Sequence, residues 1–91
     1  MHRLMKKYKL MDYRYASDYY QLLGRLRSDC EYYLGYGNRY SGHLWIKNEK
    51  DHVQLMKELY CFVSVRFGRP EWITRKDICN YSAEMCREVT A

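Results

Sequence analysis

Between Arg25 and Trp45 the chain reads RLRSDCEYYLGYGNRYSGHLW, and this stretch constrains the fold more than any other. Leu26, Cys30, Tyr33 and Leu34 recur at three- and four-residue spacing, which places them on one face of a helix. The stripe runs into Gly35 and Gly37, where glycine accepts a left-handed helix cap without a Cβ clash. A compact Asn38-Arg39 turn and a Trp45 follow before the next helical pattern begins. A helix, a long ordered connection and a second helix must bury their apolar faces on each other. The expected architecture is a compact all-α bundle, not a coiled coil.

Three main helices are expected. The first starts at an N-cap at Ser17-Asp18 and carries the stripe Tyr19, Leu23, Leu26, Cys30, Tyr33 and Leu34. Gly24 lies inside it at a cost of about 1 kcal/mol relative to Ala, which a close helix crossing or simple tolerance would explain. The second opens at Asn48 with Glu49 and Asp51 in its first turn. Val53, Met56, Leu59, Tyr60 and Val63 form its stripe, widened by Leu55 and Phe62. Its end, Cys61-Phe62-Val63-Ser64-Val65, is β-branched and aromatic and is expected to fray into extended chain, with Gly68 and Pro70 stopping it. The third follows Thr74, which forms a capping box with Asp77, and buries Ile78, Tyr81, Met85 and Val89. Residues 1–16 form a basic, Tyr-rich arm that fits a strand or a helix, and residues 17–91 form the helical domain.

Size and charge narrow the function classes. Ninety-one residues make one domain near the lower limit for a single core. No run of about 18 apolar residues is present, so no membrane span is expected. The basic N-terminus lacks the apolar stretch of a secretory signal, and the chain is expected to be intracellular, in the cytoplasm. Cys30, Cys61, Cys79 and Cys86 are then free thiols, read as small buried hydrophobes. Of the net +5, residues 1–16 carry +4 and residues 66–76 carry +3. Such clusters meet phosphate or an acidic protein surface, or are merely solvated. Eleven tyrosines are many for this length; roughly half belong at core edges and the rest on a contact face.

Neither metal nor catalytic chemistry is expected, and no cofactor. There is no CxxC or HxxxH pair, and Cys79 and Cys86 stand about 10 Å apart along a helix axis, too far for one zinc. A Cys30–His43 pair is disfavoured because Cys30 sits on an apolar stripe, where a thiolate is unstable. The glycines of GYGNR follow a helix, whereas a phosphate cradle precedes one.

The order SDCEYYLGYGNR, HLW, MKELY and RPEWIT resembles the large polyvalent protein-associated domains, specifically the eleventh of that series, over residues 17 to 86. The resemblance implies an accessory factor of phages and conjugative elements, with counter-defence, such as inhibition of a CRISPR nuclease, as one role among several. It implies no activity.

Two sets of residues follow as candidates. Tyr32, Tyr36, Asn38, Arg39 and Tyr40 are the candidate contacts to a host or element protein, a CRISPR nuclease complex included. Structurally, Asp29 is expected to pair with Arg39, Asn38 to satisfy turn backbone, Trp45 to plug the gap between the first two helices, and Trp72 to anchor its connection. Nucleic acid is the alternative partner, through Arg3, Lys6, Lys7, Lys9, Arg25, Arg27, Arg66, Arg69, Arg75 and Lys76. No helix-turn-helix is present, because a long connection stands where a tight turn is needed.

Overall fold

The computed structural model describes residues 3–10, 15–37 and 39–86, without the side chain of His43. Among these residues four α-helices follow in order: α1 (Arg3–Lys7), α2 (Ala16–Leu34), α3 (Glu49–Arg66) and α4 (Arg75–Met85), with a 3-10 turn at Ser41–His43. There is no strand among the described residues, and the three expected helices are α2, α3 and α4.

α3 is the centre. It packs against α1, α2 and α4, and nine of its residues are buried, among them His52 and Glu58. Contact with three neighbours is why its apolar arc is wider than one stripe. It also explains why the Cys61–Val65 segment stays helical to Arg66 instead of fraying. Phe62 lies 5.0 Å from the ring of Tyr19, and Val63 is fully buried, so tertiary packing overrides β-propensity.

The caps were partly legible. Asn48 Oδ1 accepts the Asp51 N–H at 3.0 Å, and Thr74 and Asp77 form the expected reciprocal box at 2.9 and 3.1 Å. α2, however, starts one residue before Ser17, with extended Tyr15 as its N-cap and no side-chain cap bond. Ser17 and Asp18 therefore sit inside the first turn, where the Asp18 carboxylate meets the positive end of the helix. At the other end, Gly35 has φ −99°, and the left-handed residue is Arg39 at φ 58°. Val89 lies outside the described residues.

The described part of the N-terminal segment is docked, not a solvated tail. α1 lies on α3, with Leu4, Met5 and Leu10 buried. Each such side chain withdrawn from water contributes about 1.5–3 kcal/mol.

The four cysteines are free, but only Cys30 is buried; Cys79 is exposed, and Cys61 and Cys86 are half-buried. α4 buries only Ile78 and Met85, and Cys79, next to Ile78, is left at the exposed edge of the helix. No group of three metal-capable side chains occurs among the described residues.

Candidate protein-contact face

The last turn of α2 turns two adjacent tyrosines to opposite environments. Tyr33 is buried, and its hydroxyl donates to Glu49 Oε2 at 2.9 Å, tying α2 to the start of α3. Burial first, then that carboxylate, raises the Tyr33 pKa, so the hydroxyl stays a donor. Tyr32 faces outward. The chain then folds back sharply: the Gly37 N–H donates to the Tyr32 carbonyl at 2.7 Å. A Cβ on Gly37 would stand 2.9 Å from that oxygen and from the Tyr32 ring, so a glycine is needed for the close approach.

Arg39 is a strut. Its N–H donates to the Tyr33 carbonyl at 3.0 Å, and its guanidinium lies 5.5 Å from the Tyr33 ring centroid. The same guanidinium donates to the backbone carbonyl of Glu84 near the end of α4. It does not pair with Asp29. That carboxylate instead accepts the Trp45 N–H at 2.9 Å on Oδ2 and lies 3.4 Å from Arg25 Nε on Oδ1. The connection from 35 to 48 is thus held to α2 and α4 at separate points.

Between those points the aromatic side chains are presented outward. Tyr36 is 88% exposed, Tyr40 62% and Tyr32 47%. Trp45 does not plug the gap between helices: it is an exposed residue set edge-on to Tyr8, just after α1, at 5.8 Å. Leu44 and Ile46, on either side of it, are the buried plugs. Trp72 likewise lies outside the core, over Gly24 and 5.9 Å from the Arg27 guanidinium, while Pro70 and Ile73 are buried. Among the described residues only the Trp72 ring comes within 4 Å of a Cβ at Gly24, so no close helix crossing accounts for that glycine. Asn38 lies outside the described residues.

Five of the ten described tyrosines, Tyr8, Tyr15, Tyr32, Tyr36 and Tyr40, are exposed, close to the half expected from composition. An outward phenol offers ring area and a polar tip at low entropy cost, the profile of an interface residue.

The ten basic candidates divide by what they already bind. Arg3 lies 3.8 Å from Asp51, Arg25 pairs with Asp29, and Arg27 Nε stands 3.1 Å from Glu31. Arg66 covers the rings of Phe62 and Phe67, and Lys7 lies 5.7 Å from the Tyr8 ring. Lys6, Lys9 and Lys76 are exposed without an ion pair among the described residues. Arg69 and Arg75 come together on the wall of a cleft between α3 and α4.

Sequence reasoning missed the half-buried Cys61 and Ser64 that share this cleft. Their three-residue spacing from each other along α3 was the signal that could have placed them on one wall.

Compared with known families, residues 16–85 match the model of Large polyvalent protein-associated domain 11, from the first residue of α2 to the last of α4. No curated protein and no solved structure matches the chain.

Proposed function

We propose that this chain, which belongs to the Large polyvalent protein-associated domain 11 family, is a non-catalytic protein-binding module of a mobile element. The family is a polyvalent-protein-associated domain of unknown function in mobile elements. The observation that carries the reading is the exposure of Tyr36 and Tyr40 on a connection tied to two helices. Aromatic surface already fixed in place loses little conformational entropy on docking, so more of the contact energy appears as affinity. The partner is a host or element protein, and a CRISPR nuclease complex is the first to test, since counter-defence needs only occlusion of a working surface. Burial also supports a non-catalytic reading: it pushes the Cys30 thiol up to about 12, which keeps it protonated at neutral pH.

The test is affinity capture of the tagged full chain from a bacterial lysate with and without nuclease treatment, beside Tyr36→Ala with Tyr40→Ala. A partner retained through nuclease, lost in the double variant and rebound when purified supports the reading. Capture that ignores both tyrosines, or that vanishes with nuclease, overturns it.

A further inference from the structure

The side of the molecule formed by α3 and α4 carries a second binding feature. Tyr60, Cys61, Ser64 and Val65 form one helical stripe on α3, and together with Arg69 and Arg75 they line a cleft of about 380 Å³. A lobe of about 330 Å³ shares Tyr60, Cys61 and Arg75 with it and adds Lys57, Ile78 and Cys79. Each lobe falls near the lower end of the size range of small-molecule sites, about 300–1,000 Å³.

The electrostatics of this cleft are one-sided. Lys57, Arg69 and Arg75 lie in its walls, with no carboxylate among the described lining residues. None of the three has an ion pair among the described residues. The acidic side chains of α3 and of the α4 first turn are committed elsewhere. Glu49 holds Tyr33, Asp51 lies near Arg3, Glu58 binds backbone of α1, and Asp77 binds Thr74. Glu71, on the connection between Arg69 and Arg75, is exposed and outside the lining, so the charge in the walls is left for a ligand to neutralise.

We infer that the cleft between α3 and α4 binds a phosphate-bearing ligand of nucleotide size. Guanidinium forks match phosphate oxygens in paired hydrogen bonds. Three cations also match a phosphate, with a charge of about −1.5 to −2, better than a singly charged carboxylate. The two lobes differ in a way that suits such a ligand. Arg69 and Ser64 stand in the first, where Arg75 joins them on the wall. The second sets the Tyr60 ring, Ile78 and Cys79 beside Lys57 and Arg75, and offers carbon and sulfur to the face of a base ring. A free nucleotide and the terminus of a nucleic-acid strand present the same chemistry. This inference shares no residue with the tyrosine contact face and stands independently of it.

The experiment is calorimetric titration of the full chain, at low salt, with 5′-AMP, with a single-stranded 5′-phosphorylated oligonucleotide, and with a Glu-rich peptide. Saturable binding of a phosphate probe is expected, weakened about tenfold or more by Arg69→Gln with Arg75→Gln. Comparable affinity for AMP and oligonucleotide makes the nucleotide itself the ligand, and binding of the oligonucleotide alone makes it a strand end. A second readout does not depend on the variant folding. The bound probe should slow alkylation of Cys61 and Cys79 and leave the rate at Cys86 unchanged. No binding by either phosphate probe, equal binding by the double variant, absence of thiol protection, or tighter binding of the Glu-rich peptide overturns the inference.

Discussion

Glu58 Oε1, in the middle of α3, accepts the backbone N–H of Leu4 at 2.9 Å, across 54 positions of sequence. The same oxygen accepts the Met5 N–H at 3.1 Å, and Gln54 Nε2 approaches the other oxygen at 3.4 Å. The first N–H groups of a helix have no partner within it, and a carboxylate there also meets the positive end of the backbone dipole. A five-residue helix cannot sustain itself in water. α1 exists because α3 supplies both its cap and its apolar seat.

Removing that acceptor should loosen α1 first. Glu58→Ala is expected to cost about 1–3 kcal/mol, since it leaves buried N–H groups unsatisfied. Glu58→Gln, which keeps an oxygen but not the charge, should cost less. Urea unfolding gives the magnitude, and hydrogen exchange at Leu4 and Met5 gives the location. Unchanged protection at those two amides in Glu58→Ala would remove the capping role.

His52 makes stability depend on pH. It is fully buried, and its Nε2 lies 2.9 Å from the Leu26 carbonyl, so that nitrogen carries the proton of the neutral ring. Nδ1 has no partner among the described residues. Burial holds the pKa below its ordinary 6.5, outweighing the Leu26 bond and the Asp29 charge, which both raise it. Below about pH 6.5 the unfolded chain therefore takes up a proton that the folded chain resists. Stability should be level above that pH and fall on acidification, until the folded ring also titrates. Urea midpoints between about pH 7.5 and pH 5 should show this slope, reduced in His52→Gln.

Two glycines should respond to alanine in opposite directions. A Cβ on Gly24 would lie 3.9 Å from the Trp72 ring, an ordinary contact, so Gly24→Ala should stabilise by about 0.5–1 kcal/mol through helix propensity. At Gly37 the Cβ would meet the Tyr32 carbonyl oxygen at 2.9 Å, and backbone must move. Gly37→Ala should lower the melting midpoint measured by circular dichroism, while Gly24→Ala raises it.

Burial orders the thiols. Cys79 is exposed and should react first with a thiol reagent under native conditions, with half-buried Cys61 and Cys86 following. Cys30, whose sulfur lies 3.4 Å from Met56 Sδ and whose pKa is pushed up to about 12, should react only on unfolding. Mass spectrometry of partially alkylated protein reads this order directly.

Much of the fold was legible because periodicity and capping are local. The α2 and α3 stripes, the Asn48 cap and the Thr74–Asp77 box all depend on residues within one or two turns of each other. What was not legible depends on distance. Glu58 looks like any surface acid in MKELY until α1 is laid beside it, and Cys79 looks like a core thiol until α4 is seen to have one buried edge. Trp45 looked like a plug because large rings usually are; smaller neighbours, Leu44 and Ile46, took the core instead, and beside Trp72, read as an anchor, it is Ile73 that is buried. Tyr32, Tyr36 and Tyr40 are exposed, whereas Arg39 among them is bound to Tyr33 and to the Glu84 carbonyl.

That distinction gives Arg39 and Tyr36 different signatures. Arg39 holds φ 58°, a conformation that costs an L-residue about 1–2 kcal/mol. Arg39→Ala keeps that cost and loses the bond to Glu84 and the cation over Tyr33, so stability should fall by about 1 kcal/mol. Arg39→Gly loses the same contacts but relieves the backbone, and should melt close to the parent. Tyr36, largely in solvent, should change stability by no more than about 0.5 kcal/mol when replaced by Ala. Partner capture should follow another order, with Tyr36→Ala losing most while remaining as stable as the parent. Urea unfolding and capture run on the same three variants separate support from contact. If Arg39→Ala were as stable as the parent, the strut assignment would fail; if Tyr36→Ala captured normally, the contact assignment would.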